Sequence, residues 1–115
     1  MLQDASSRHI SSAISAPPGD TVLIARDLTT PAWNYIHEII GDMSAAGAMS
    51  IIAIDSDNTE HILGTFNLAD GQGLTLQDEP GQDNRPRFEF NPDQNAVMRT
   101  VTGTFTGSMD RSIRY

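Results

Sequence analysis

A chain of 115 residues with 15 carboxylate side chains against 7 basic ones carries a formal net charge of −8. That length makes one domain, able to bury roughly two-thirds of its unfolded surface, and the acidic balance excludes the clustered cations that phosphate binding needs, so no nucleic-acid partner is expected. The sequence has no cysteine, which removes a disulfide framework and thiolate metal sites.

No apolar run approaches a membrane span, and no basic stretch precedes an apolar one within Met1 to Pro18. The expectation is a protein made and kept soluble, with no membrane partner. All seven basic residues are arginine: Arg8, Arg26, Arg85, Arg87, Arg99, Arg111 and Arg114. Two readings of the missing lysine stay open, compositional drift or planar bidentate contacts with carboxylates at subunit boundaries.

Residues 1–18 have no sustained period and end at Pro17-Pro18-Gly19, so they read as an extended N-terminal arm, with a β-sandwich domain over 19–115. Thr21 to Ala25 is a short β-branched strand. Trp33, Tyr35, His37 and Ile39 alternate with Asn34, Ile36, Glu38 and Ile40, which puts large residues on both parities. That predicts a central strand covered on both sides, or one whose second face meets a neighbouring subunit. Gly41 to Gly47 is too short for a stable helix and reads as a loop.

Ala48 to Asp55 and His61 to Leu68 form a hairpin about an Asp/Asn turn. A second turn, Ala69 to Gly73, leads into a strand over Leu74 to Gln77, and Asp78 to Pro86 is the longest irregular stretch. Arg87 to Phe90, then Ala96 to Val101, resume the strand pattern. In the last segment Phe105, Met109, Ile113 and Tyr115 share one parity while Thr104, Thr106, Ser108, Asp110, Ser112 and Arg114 take the other, so the chain is expected to end in a structural strand. About eight strands at this spacing predict an all-β antiparallel sandwich of jelly-roll type, with an up-and-down barrel as the alternative.

No catalytic, cofactor-binding or metal-ligating residue emerges. His37-Glu38 lacks the second histidine of the zinc-protease signature, because Gly41 stands there. His9, His37 and His61 have no ligand spacing. Asp55, Asp57 and Glu60 resemble the opening of a calcium loop, but the loop glycine is missing and Phe66 stands where the bidentate glutamate belongs, so a hairpin turn is expected. Asp78, Glu79 and Asp83, with Arg85 and Arg87 close by, read as solvated loop charge or as an intersubunit network. Gly107-Ser108-Met109 is no nucleophile elbow and Gly71-Gln72-Gly73 no phosphate loop. Trp33 and Tyr35 read as core or as a platform for a sugar ring. No enzyme is expected.

The order of elements does resemble a family. The Ser-rich arm, Gly19 to Ala25, the Ala-Ala-Gly-Ala loop at Ala45 to Ala48, Gly64 to Gly73, Arg87-Phe88-Glu89 and Gly103-Thr-Phe-Thr-Gly107 together are similar to small jelly-roll proteins of tailed bacteriophage particles. Those are short, acidic, cysteine-poor domains among head decoration proteins and fibre or tail accessories, commonly trimers. The resemblance implies a structural virion component made in the host cytoplasm: a homotrimeric capsid decoration or cement protein, partnered by the phage major capsid protein or another virion protein. The alternative it implies is a receptor- or glycan-binding head on a phage fibre or tail.

Overall fold

The computed structural model describes residues 7–81 and 85–115. Among them nine strands follow one another: β1 (Ser7–Ala16), β2 (Gly19–Ile24), β3 (Trp33–Met43), β4 (Gly47–Ile54), β5 (Glu60–Leu68), β6 (Gly73–Leu76), β7 (Phe88–Phe90), β8 (Asn95–Thr100) and β9 (Phe105–Arg114). One sheet has the order β1-β9-β3-β6, with β7 also on β3, and the other has the order β2-β8-β4-β5. All pairs are antiparallel. β7 pairs with Asn34–Ile36 and β6 with Ile39–Asp42, so the two are halves of one interrupted strand. Counted that way the chain is an eight-stranded jelly roll, with successive strands changing sheet except at the β4–β5 hairpin. Two stacked sheets with this order exclude the up-and-down barrel.

The core lies between the sheets and is built from Ile14, Ile36, Ile39, Met43, Met49, Ile51, Phe90, Met98, Phe105 and Met109. β9 is paired on both sides, with β1 and with β3, so the terminal alternation belongs to a central strand. Gly107 sits against Gly41 in that ladder. A side chain at Gly107 would collide with the Ile40 carbonyl, and one at Gly41 with the Phe105 ring, so the two glycines let β3 and β9 close under that ring.

The large residues on both parities of β3 have a local cause. The β3–β9 register shifts between Ile36 and Glu38, a bulge at His37 that inserts one residue and exchanges the faces of the residues after it. Asn34 and Ile36 point inward on one parity, Ile39, Gly41 and Met43 on the other. A second covered face is therefore not needed, and the argument for a subunit against that face loses its basis. The strand also runs through Gly41 to Met43, leaving only residues 44–46 as the loop expected over Gly41 to Gly47.

Residues 7–16, expected within the arm, form β1. They pair with β9 from Ser7↔Arg114 to Ala16↔Phe105, and Ile14 and Ala16 are buried. Residues 1–6 of the expected arm lie outside the described residues. The connection to β2 is fixed by the buried Thr100, whose hydroxyl donates to the Pro17 carbonyl at 2.9 Å.

Candidate functional site: sheet edges and an inter-sheet cleft

Both sheets have open edges, and they differ in chemistry. Among the described residues β1, β2 and β5 each pair with one neighbour, and β6 and β7 pair with β3 alone. The β5 edge is uncharged from Ile62 to Leu68 and leaves Ile62 and Leu63 exposed. Edges of this kind are usually blunted by lysine, proline or inward-pointing charge. This chain has no lysine anywhere.

The outer face of the β2-β8-β4-β5 sheet carries an apolar row, Val22, Val97, Ile52 and Ile62, in cross-strand register. Its inner members Val97 and Ile52 are 2% and 0% exposed, its ends Val22 and Ile62 are 53% and 62% exposed. Arg99 explains the difference. It lies in the row beside Asp20 and reaches Glu60 on the far side of the apolar row, with bonds of 2.6 and 3.0 Å to Asp20 and 3.0 and 2.8 Å to Glu60. Its planar fork serves two carboxylates at once, which an ammonium cannot do. The bonds from Arg99 hold the Asp20 and Glu60 carboxyls below their ordinary values and raise the guanidinium further above its own. One of the arginines thus ties the two edge strands of its own sheet together within the chain.

The opposite outer face gathers residues that are distant in sequence. His37 lies 3.2 Å from Asp78 and 2.8 Å from the Ser112 hydroxyl, and its ring stacks on His9 at 5.9 Å. His9 in turn meets Asp110 at 2.8 Å. Trp33 and Tyr35 stack on the same face at 6.4 Å, with Trp33 44% exposed, so this pair is not core. His61 belongs to the other sheet, where it and Gln94 hydrogen-bond to Asp55 at 2.8 and 2.9 Å and lower its carboxyl pKa. The Asp55 to Glu60 segment is a hairpin turn, with Asn58 at φ 70° and Asp57 accepting from the Thr59 amide. Among the described residues no group of three or more histidine, aspartate or glutamate side chains is arranged to hold a metal ion. Asp83 of the expected acidic cluster lies outside the described residues, and Arg87 stands 5.5 Å over the Phe88 ring.

At the end of the sandwich where β3 begins and β9 finishes, the sheets part around a cleft of about 340 Å³. Leu23, Arg26, Thr30, Asn34, Arg111 and Tyr115 are among its lining residues. Arg26 is spent on structure, donating to the carbonyls of Asp93 and Ile54 at 2.8 Å each. Asp27 also borders the cleft, but one of its oxygens accepts from Thr29 and Thr30 in a local turn. Arg111 is different. It occupies the inward parity of β9 with Phe105 and Met109, its Nη1 donates to Asn34 Oδ1 at 2.7 Å, and its buried Nε has no acceptor among the described residues. Burial pulls its pKa down, partly offset by Tyr115. A cation on the buried parity was visible in the sequence at position 111, and the terminal alternation passes over it.

Comparison with known proteins speaks to the fold. No protein-family profile matches the chain, and no curated protein does. Among solved structures it is similar to a chain described by the words "Bacillus endospore appendages form a novel family of disulfide-linked pili", at 13% sequence identity and a TM-score of 0.57, over 95% of this chain and 85% of that one. The likeness is to an appendage subunit. It corrects the expectation of a tailed-phage virion protein: the capsid decoration or cement role, the fibre-head alternative with its receptor or glycan, the capsid-protein partner and the virion location. The segments that suggested a phage family are strands, such as β2, and the turns and entries between strands, such as residues 69–72 and the start of β9. Any two-sheet jelly roll of this size needs them, so they mark an architecture and not a particle.

Proposed function

We propose that this chain is a non-catalytic building block that associates with copies of itself into an extracellular fibre, of the kind the appendage subunit forms on endospores. The observation that carries the reading is the shared two-sheet fold across nearly the whole of both chains. Open strand edges support it, above all the uncharged β5 edge, because unpaired backbone groups there can extend a neighbour's sheet. Each of the three histidines pairs with an aspartate, His9 with Asp110 and His61 with Asp55 at 2.8 Å and His37 with Asp78 at 3.2 Å.

The match is to disulfide-linked pili, and this sequence has no cysteine. Contacts between copies must therefore be noncovalent, made of backbone ladders, apolar burial and ion pairs. Sedimentation velocity over a concentration series, with and without reductant, tests the proposal. The expected result is growth into large species with concentration, indifferent to reductant. A monomer throughout the micromolar to millimolar range would overturn it.

A further inference from the structure

The cleft at one end of the sandwich and the acidic turn at the other are complementary. We infer that the Arg111 cleft receives the Asp70 carboxylate of a second copy, so that the subunits join head to tail. The inference rests on the fibre-subunit reading and names the contact that would propagate it.

The two ends are set by β3. Asn34 at its start lines the cleft, and Met43 at its finish holds the β5–β6 turn through Met43 N–H to the Gln72 carbonyl at 3.1 Å and Gly71 N–H to the Met43 carbonyl at 2.8 Å. Asn34 and Met43 lie nine residue steps apart along this strand, about 30 Å at the usual rise. The turn cannot reach its own cleft, so an attraction between them acts only between molecules.

The turn is built to present a charge. The Ala69 amide donates to Gln72 Oε1 at 2.7 Å, the Gln72 amide donates to the Ala69 carbonyl at 3.0 Å, and Gly71 takes φ 72°. Asp70 stands exposed on this braced tip, and Asp42 lies beside it. Neither makes an ion pair among the described residues, and the connections at this end, 17–19, 43–47, 69–73 and 101–105, contain no basic residue.

The cleft supplies the other half. Arg111 is an inward-facing cation with no carboxylate partner among the described residues, one guanidinium nitrogen on Asn34 and its Nε without an acceptor. A carboxylate entering beside it meets both deficits with charge-assisted bonds, the geometry an arginine fork favours. Arg111 is partly buried, with its Nε fully so, which strengthens the attraction for an arriving anion. A site at one end and its ligand at the other make a heterologous contact, which does not close on itself and so extends into a filament.

The test is light scattering of assembly by the full chain and two variants. Asp70→Asn and Arg111→Gln are each expected to raise the concentration needed for assembly at least about tenfold, as loss of one member of a desolvated charge pair does. Glu89→Gln, which removes an exposed carboxylate elsewhere, is expected to leave it unchanged. An equimolar mixture of the two variants should give 1:1 heterodimers and nothing longer along this axis, since only the intact turn of one can enter the intact cleft of the other. Asp70 is exposed on a turn, so Asp70→Asn keeps the fold, and that variant carries the test if Arg111→Gln does not fold. Assembly by Asp70→Asn at the parent's concentration overturns this contact while the fibre reading stands. A parent that stays monomeric removes both.

Discussion

Replacing Ile14 by alanine separates a strand built into the sheet from an arm laid beside it. Ile14 is 2% exposed, pairs with Gly107 across the β1–β9 ladder and belongs to the core. The substitution deletes three buried carbons, about 2.4 kcal/mol at roughly 0.8 kcal/mol each. The cavity left behind adds to this, although an edge strand relaxes more freely than a central one, so the net cost is about 2–4 kcal/mol. That is a large share of the roughly 5–15 kcal/mol a domain has. Urea unfolding followed by far-ultraviolet circular dichroism should show a lower midpoint with an unchanged slope. Ser15→Ala, at an exposed position of the same strand, should move the midpoint by less than about 0.5 kcal/mol equivalent. An Ile14→Ala midpoint equal to the parent's would refute the placement of β1 in the sheet.

Gly107→Ala should abolish cooperative thermal unfolding, because the added carbon meets only backbone, the Ile40 carbonyl and Gly41 Cα, and neither can swing aside; a melt like the parent's would contradict the close pairing of β3 and β9. Stability should fall on acidification. Asp20, Glu60 and Asp55 have folded-state pKa values below their ordinary ones, so their contribution is complete above the ordinary carboxylate range of about 4 and is lost as pH drops through the lowered values. Arg99→Gln should flatten that acid slope, since hydrogen bonds from Arg99 are the main cause for Asp20 and Glu60; equal slopes in parent and variant would refute the assignment.

The period-2 pattern of Phe105, Met109 and Ile113 was enough to find β9, because a strand with one buried face writes its geometry directly into residue type. β1 was harder to see. Its inward residues include Ser12 and Ala16, too small and too polar to stand out from a serine-rich stretch. The bulge at His37 has no residue signature, and it turned an ordinary one-sided strand into an apparently two-sided one. Long-range contacts were hidden for a different reason. Arg99 lies 79 residues from Asp20 and 39 from Glu60, and only the strand order brings them into one row. Arg111 was missed although it is the cation on an otherwise apolar parity, because its meaning depends on the cleft, which the end of β2, the β2–β3 loop and the end of β9 create together. The family resemblance misled because strands and turns are dictated by the jelly roll itself and repeat wherever that fold is used.

The central claim is that copies of this chain build an open fibre without covalent links. Negative-stain electron microscopy of the purified chain, concentrated in the presence of reductant, tests it most directly. Unbranched filaments of uniform width that lengthen with concentration are expected, with Asp70→Asn needing an at least about tenfold higher concentration to form them. Closed rings, discrete trimers or dispersed single particles at every concentration would contradict it.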